Sequence, residues 1–390
     1  MHSQWQPLIA DAIDFRHLLH RHPELSWQEH ETARRIGEAL DAANITWRRC
    51  ADTGIIATLN RNASGEHIAL RADTDALPIE ERGRQGWRSQ HSGVMHACGH
   101  DGHSATLLAV GRWLKQHESA LPGPVTLIFQ PAEEGGNGAE SMIAGGALEG
   151  VDAIFGWHNW PAIPFTQAAC PDGTIMAANS TFYIEVIGKG GHASQPEACH
   201  DPLLAGAAIT LALQQIVSRR LPPQQAAVVS VCTFDDGSQG SGSANVIREK
   251  VKLAGTIRVT AANYLANVES LVTTIAADTA RSYGVTATTS HHPSYPATIN
   301  HRDAAARVRE IFTQEWGGEW QSSQPLPIMG AEDFSFYLQK CPGAYALIGN
   351  GNGERPCHSP HYDFNDKLIE PVTRILCRLA NLPPSLLPAP

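Results

Sequence analysis

The chain has 390 residues, of which 42% are hydrophobic and 17% charged, and its formal net charge is −10. This length exceeds the usual size of one hydrophobic core, so two domains are expected. The negative charge argues against a nucleic-acid partner, because phosphate binding needs clustered lysine and arginine. No apolar run reaches the ~20 residues of a membrane span, and the N-terminus lacks the pattern of a signal peptide, so we predict a cytoplasmic protein with no membrane partner.

The N-terminal part of the chain is predicted to alternate helices with strands. Apolar residues recur at helical spacing in 9–24, 30–45 and 104–117, and apolar runs typical of buried strands occur near 67–78, 125–129 and 151–160. Strands that alternate with helices favour an α/β sheet, in which binding sites form at the carboxyl ends of the strands.

Residues 179–291 show a different pattern and are predicted to form an inserted domain. Strand, helix, two strands, helix and strand follow one another there, which is the order of a ferredoxin-like α+β unit. Asp201 and Pro202 open the first of these helices, because they suit the N-cap and the first turn. The first domain is then expected to comprise 1–178 and 292–390.

Eight cysteines are scattered along the chain and form no C-x-x-C pair. In a cytoplasmic chain of this size, free and mostly buried thiols are the expected state. Cys98 stands apart because its neighbours are histidines and an aspartate. Cys357 directly precedes His358, and its role stays open.

The segment HACGHDGH, residues 96–103, is the densest group of possible metal ligands in the chain. Cysteine, histidine and carboxylate are ligands that divalent transition metals prefer. Cys98 and His100 are two residues apart, so both side chains are expected to turn inward from one irregular loop. Other candidates follow apolar strands or lie in later loops: Asp73, Glu133, Glu134, His158 and His358.

Two of these candidates, Glu133 and Glu134, are adjacent in sequence. In an extended backbone, neighbouring side chains point to opposite sides. One carboxylate is therefore expected to bind metal while the other faces the substrate.

Three functional classes remain open on these residues alone. A metalloenzyme would use all of them. A cysteine amidase with Cys98 as nucleophile and a nearby histidine as base would leave both glutamates and the distant histidines without a role. A non-catalytic scaffold with a closed metal site would not need Glu133 free beside the ligands. Chelation separates the thiol enzyme from the other two, and an activity screen identifies the scaffold.

Ten stretches, in order across nearly the whole chain, carry a resemblance to a known family. The chain resembles the di-metal amidohydrolases of the aminoacylase/carboxypeptidase superfamily, in the branch of N-acyl-amino-acid amidohydrolases, hippurate hydrolases and auxin-conjugate hydrolases. The stretches are HRHPELSWQEHETA, LRADTDALPI, MHACGHDGHSATLL, IFQPAEEGGNGAESMI, GWHNWP, GKGGHAS, SANVIREK, GTIR, MGAEDFSFYL and CHSPHYDFND.

The resemblance implies a mixed-sheet α/β catalytic domain that binds two metal ions, with the insertion serving as a lid and dimerisation domain. It implies hydrolysis of N-acyl amino acids by a homodimer, with a dipeptidase or carboxypeptidase as the alternative activity. Two divalent ions (Zn, Mn, Co or Ni) are expected. The implied residues are the metal ligands Cys98, His100, Glu134, His158 and His358, the general base Glu133, and the substrate-binding His192 and Asn245.

One departure concerns the stretch that begins at Arg71. In the wider superfamily, a histidine of an H-x-D-x-P pattern supplies a metal ligand, and Arg71 cannot do so. This fits the branch, in which Cys98 takes a ligand role usually filled by aspartate. Asp73 is then expected either to orient a ligand or to be a structural turn residue.

Overall fold

The structure is a computed structural model that describes residues 4–237, 243–351 and 353–390, apart from the side chain of residue 262. Its contacts separate two compact units. The first comprises the residues up to Ile175, Thr298–Leu326 and Asp333–Pro390, and the second comprises Met176–Ala297 and Pro327–Glu332. The sequence predicted the insertion at 179–291. Each unit has a hydrophobic core of its own.

The helices are α1 Trp5–Arg21, α2 His30–Ala42, α3 His100–Gln116, α4 Gly138–Ala144, α5 Pro202–Leu213, α6 Leu265–Ser282, α7 Arg302–Trp316, α8 Phe334–Leu338 and α9 Ile369–Leu379. The strands are β1 Trp47–Cys50, β2 Gly54–Leu59, β3 Ile68–Asp73, β4 Val125–Gln130, β5 Ala153–Trp160, β6 Ala168–Ala169, β7 Gly173–Met176, β8 Ala178–Ile187, β9 Gly191–His192, β10 Ala227–Asp235, β11 Val246–Ile247, β12 Lys250–Val259, β13 Thr286–Pro293, β14 Thr298–Asn300 and β15 Gly343–Gly349.

The first unit is built on a seven-stranded sheet in the order β1-β2-β4-β3-β5-β15-β6. Its central strands β4, β3, β5 and β15 are parallel, whereas β2 and β6 pair antiparallel to that centre. Every residue of β3 and β4 is buried. Strands that are buried on both faces are expected where helices cover a parallel sheet. The predicted mixed-sheet α/β class is therefore confirmed.

Helix α3 lies at the centre of the first unit, where it contacts α1, α9 and β3. Its buried residues run without interruption from His100 to Gly111. Trp113, near its end, packs edge-on against Trp5 of α1. A helix that is buried almost all round holds its N-terminal residues in a fixed position relative to the sheet.

The second unit contains an antiparallel sheet in the order β10-β12-β8-β13, with α5 and α6 packed against it. The chain order β8-α5-β10-β12-α6-β13 is that of a ferredoxin-like unit. Alternate residues of β8 are buried, as expected for a sheet that is covered on one face. Asp201 caps α5 as predicted, because its carboxylate accepts hydrogen bonds from the amides of Leu203 and Leu204.

None of the helices in the described part of the chain is long and apolar enough to cross a membrane.

Candidate metal centre and active site

The start of α3 places the first two candidate ligands. Cys98 precedes the helix and His100 is its first residue, so the expectation that both lie in one irregular loop is wrong for His100. Gly99 between them has φ 97°, a left-handed conformation that favours glycine. A Cβ at this position would also collide with the side chains of Asn159 and Tyr362. Glycine therefore allows the sharp entry that brings both side chains to one place.

Glu133 and Glu134 lie in the turn that follows β4. The backbone there is not extended, because Ala132 has φ 55° and a turn follows it. The two carboxylates therefore do not point to opposite sides. Donor atoms of Glu133, Glu134 and His100 lie within 4.8 Å of one another.

The candidate ligands of the first unit form overlapping groups. Within each group, the donor atoms are within 4.8 Å of one another. The groups are Cys98, His100 and His158; Cys98, Glu134 and His358; His100, Glu133 and Glu134; and Asp73, His100 and His103. All five predicted ligands and Glu133 are thus brought together, although they come from four separate segments of the chain.

His158, near the end of β5, presents one ring nitrogen to this group. Its Nδ1 lies 2.6 Å from the carbonyl oxygen of Asn159, to which it can only donate a hydrogen bond. Its Nε2 lies 3.2 Å from Cys98 Sγ. Burial and the neighbouring His103 hold the pKa of His158 well below its usual range. A neutral ring with a free Nε2 lone pair is the form that binds metals.

Asp75 contacts two candidate ligands, a role that was not predicted from the sequence. Its Oδ1 lies 3.2 Å from His100 Nδ1, and its Oδ2 accepts a hydrogen bond from the amide of Glu134 at 3.0 Å. The hydroxyl of Ser26 donates to the same Oδ2 at 2.7 Å. Carboxylates that bind the second nitrogen of a ligand histidine fix its orientation. The repeated aspartate in D-T-D was the only signal in the sequence.

Asp73 instead belongs to a buried network on the other side of His100. It accepts a hydrogen bond from Arg71 at 2.7 Å and contacts His103 Nδ1 at 2.6 Å. The opposite nitrogen of His103 lies 2.7 Å from Asn159 Oδ1. Asp73 Oδ2 is 3.7 Å from His100 Nε2, which is too far for a hydrogen bond. Asp73 therefore contacts the neighbours of the ligands.

His358 closes the group from the C-terminal loop, where it has φ 67°. Its amide donates to the carbonyl oxygen of Ala97 at 2.8 Å, which ties this loop to the segment before α3. Its Nε2 lies 3.2 Å from Glu134 Oε1, and this contact raises the pKa of His358 against the effect of burial. Half of its side chain is exposed to solvent.

The donor set fits divalent metal ions. His100 Nε2 is buried and has no hydrogen-bond partner among the described residues, so this nitrogen is available as a ligand atom. Burial alone would lower the pKa of His100, but the carboxylates of Asp73, Asp75 and Glu134 raise it to about 10. Negative charge thus converges on His100, as a cation site requires. One thiol, imidazoles and a carboxylate form a set that suits Zn²⁺ and similar ions.

The two candidate substrate-binding residues belong to the second unit. His192 in β9 pairs with Val246 in β11, and the amide of Ala193 donates to the carbonyl oxygen of Asn245 at 2.9 Å. His192 is exposed, and its Nδ1 lies 2.7 Å from Ser194 Oγ. The fold of this unit therefore presents His192 and Asn245 side by side, although 53 positions separate them in the sequence.

The chain is similar to known proteins over most of its length. Residues 69–382 match the model of peptidase family M20/M25/M40. The N-acetyl-L-cysteine deacetylase of Bacillus subtilis is 36% identical over 363 residues, which are 93% of this chain and 85% of that protein. The hippurate hydrolase of Campylobacter jejuni is 34% identical over 383 residues, 96% of this chain and 98% of that protein.

Solved structures show the same likeness. The crystal structure of the Bacillus subtilis YXEP protein, described as a dinuclear metal-binding peptidase from the M20 family, matches with a TM-score of 0.83 at 32% identity. The match covers 96% of this chain and 98% of that one.

Proposed function

Because the chain belongs to peptidase family M20/M25/M40, we propose that it is a metal-dependent amidohydrolase of N-acyl amino acids. It hydrolyses the amide bond and releases a carboxylic acid and a free amino acid. The overlapping donor groups around Cys98 and His100, with Glu133 beside them, carry this proposal. The names of the deacetylase and the hippurate hydrolase support it. They favour it over the dipeptidase or carboxypeptidase alternative.

The proposed ligands of two divalent ions are Cys98, His100, Glu134, His158 and His358. Zn, Mn, Co and Ni are all compatible with this donor set. When bound, such ions activate water and polarise the carbonyl of the amide. A cysteine amidase is a weaker proposal, because it leaves the carboxylates and distant histidines of the group without a role.

Glu133 is the proposed general base. Glu133 is only 6% exposed, and its carboxylate lies close to His100 and Glu134. It is therefore held next to the proposed ligands, although we do not propose it as a ligand itself. It takes the proton of the attacking water and passes it to the nitrogen of the leaving amino acid. Such proton transfer typically contributes ~10²–10⁴-fold to the rate.

His192 and Asn245 are the proposed substrate contacts. The His192 ring donates to the oxyanion that develops on the amide carbonyl, and the Asn245 amide donates to the carboxylate of the substrate. The second unit would thereby act as a lid. Their side-by-side position on the β9–β11 ribbon supports a shared task.

We also propose a homodimer formed through the second unit. Helix α5 exposes Leu203, Leu204 and Leu211, the last with 75% of its surface accessible. Strand β10 is an edge of its sheet in the described part of the chain. Exposed apolar side chains near an open strand edge are the features that a self-complementary interface covers. The proposed location is the cytoplasm, which the eight free cysteines support.

Hydrolysis of a panel of N-acyl amino acids tests the proposed function. Protein loaded with each of the four metals should release free amino acid from at least one acetyl or benzoyl substrate. Chelation should abolish the release, and adding the metal back should restore it. Activity that survives complete metal removal, or an acyl-enzyme on Cys98, would refute the proposal.

A further inference from the structure

Cys357 lies beside the candidate ligand Cys98. The Cys357 thiol is the largest cause that raises the pKa of the Cys98 thiol well above its usual range, so the two side chains are neighbours. The backbone joins the same two segments, because the amide of His358 donates to the carbonyl oxygen of Ala97 at 2.8 Å. Cys98 directly follows Ala97 and Cys357 directly precedes His358, so the two cysteines flank this backbone hydrogen bond.

Cys98 and Cys357 differ in their surroundings from three of the other cysteines. Cys50, Cys170 and Cys341 are buried, and each thiol lies against a backbone carbonyl oxygen. Cys98 is also buried, but Cys357 is partly exposed and packs at the margin of the core. Oxidants in solution can therefore reach Cys357, and Cys98 is the thiol next to it.

Cys357 does not take part in the metal site itself. None of the donor groups in the described part of the chain contains its Sγ, whereas Cys98 Sγ belongs to two of them. Cys357 therefore lies next to a proposed ligand but is not itself a proposed ligand. Neither the proposed chemistry nor the fold otherwise requires a thiol at this position.

We propose that Cys98 and Cys357 form a site of reversible oxidative modification, in which a disulfide between them removes Cys98 from the metal site. A peroxide is the oxidant. Cys357 Sγ attacks one peroxide oxygen, the O–O bond breaks, and a sulfenic acid and water form. Cys98 Sγ then attacks the Cys357 sulfur, the S–O bond breaks, and a second water leaves. The two thiols lose two electrons and two protons in total, and the peroxide is reduced to water.

Disulfide formation and metal binding compete for the same sulfur atom. A Cys98 Sγ bonded to Cys357 cannot bind a metal as a thiolate. A bound metal conversely protects Cys98, so the metal-depleted protein is the form that is oxidised. Reduction by a small thiol returns Cys98 to the site. The disulfide does not depend on the proposed function, but its effect on metal binding rests on the proposed ligand role of Cys98.

Peptide mapping of the wild-type protein tests the disulfide directly. Metal-loaded and chelated samples are treated with one equivalent of hydrogen peroxide, alkylated and digested without reductant. Mass spectrometry should find a 98–357 cross-linked peptide in the chelated sample, with loss of two hydrogen atoms, and much less in the loaded sample. Absence of this peptide after oxidation of Cys357 would overturn the inference, whatever the activity of the enzyme.

Two variants test the consequence. Cys357→Ser should retain activity in its reduced state and should rebind Mn²⁺ after peroxide treatment, whereas the oxidised wild type should rebind it only after reduction. Cys199→Ser is the matched control, because Cys199 is also partly exposed but lies against the Gln195 carbonyl oxygen, and it should behave as wild type. If Cys357→Ser fails to fold, Cys357→Ala replaces it. A disulfide that leaves metal content unchanged would instead refute Cys98 as a ligand.

Discussion

The carboxylate of Glu29 accepts a hydrogen bond from the backbone amide of Ala132 at 2.9 Å. Ala132 has the left-handed backbone conformation, with φ 55°, and directly precedes the adjacent glutamates of the candidate site. The hydroxyl of Thr53 donates to the other oxygen of Glu29 at 2.7 Å, so both oxygens are held. Glu29 therefore stabilises the turn that carries Glu133 and Glu134.

The first prediction concerns the pH dependence that Glu29 gives to stability. Burial raises the pKa of Glu29 to about 7, against the lowering effect of the Thr53 hydrogen bond. Because the pKa of Glu29 is higher in the folded state than in the unfolded state, folding favours the protonated carboxyl group. The stability that this preference contributes is complete below the unfolded pKa and is lost as the pH rises through about 7. Glu29→Gln should remove this loss, and the variant should gain stability relative to wild type between about pH 5 and pH 8.

Urea unfolding at about pH 5 and about pH 8 measures the difference in the free energy of unfolding between the variant and wild type. A change of ~1.4 kcal/mol is expected for each unit by which the pKa of Glu29 differs between the folded and unfolded states. Glu140→Gln, on the exposed face of α4, is the control and should show no such trend. Glu29→Ala should be destabilised at every pH by ~1–3 kcal/mol, because the buried amide of Ala132 loses its acceptor. If the free energy of unfolding of Glu29→Gln varied with pH in parallel with that of wild type, the raised pKa of Glu29 would be contradicted.

The second prediction separates the adjacent acids of the candidate site. Glu133→Gln should lose ~10³-fold in kcat while its metal content is unchanged, because it removes a proton carrier and no ligand. Glu134→Gln should lose bound metal, because a neutral amide replaces a carboxylate ligand. Metal analysis and steady-state kinetics on the same preparations give both readouts. Loss of metal in Glu133→Gln and retention of metal in Glu134→Gln would show that Glu133 is the ligand and Glu134 the base.

The third prediction compares the two aspartates after β3. Asp75→Asn should weaken metal affinity by ~10–100-fold, because Asp75 orients both His100 and the amide of Glu134. Asp73→Asn should affect the free energy of unfolding more than metal affinity, because its buried partners are Arg71 and His103. Competition with a chelator of known affinity, together with thermal unfolding, distinguishes them. Equal losses of metal affinity in both variants would contradict the assignment of different roles to Asp73 and Asp75.

The fourth prediction concerns the proposed dimer and the residues that the second unit supplies. His192→Ala should lower turnover by ~10²–10³-fold with metal content and fold intact, because it removes a donor to the oxyanion. If His192 acts in the site of the partner, mixing this variant with Glu133→Gln under subunit exchange should restore part of the activity. Unchanged turnover in His192→Ala would exclude the residue from the reaction.

Leu211→Glu offers an independent test of the dimer. This residue is largely exposed on α5, so a charge there should not disturb the core of the unit. It should shift the protein toward monomer in analytical ultracentrifugation if α5 forms the interface. Thr273→Glu on the exposed face of α6 is the control. A wild-type protein that sediments as a monomer would refute the proposal.

Local sequence determined much of the secondary structure and the fold class. Periodic apolar residues predicted α1, α2 and most of α3, and Asp201 marked the start of α5, because capping and periodicity depend on residues close in sequence. The alternation of strands and helices predicted the α/β class, and the family resemblance implied that the sheet is mixed. The kinds of residue in HACGHDGH also pointed to metal binding, because ligand preference belongs to the side chain itself.

Only the tertiary structure decided how these residues meet. It brought His358 to Glu134, and it placed Asp75, not Asp73, against His100 Nδ1. It also turned Glu133 and Glu134 toward one centre, because Ala132 leaves the extended conformation with support from Glu29. These relationships join segments that are tens to hundreds of residues apart. They depend on the packing of α3 and on strand order in the sheet, which local propensities in the sequence do not encode.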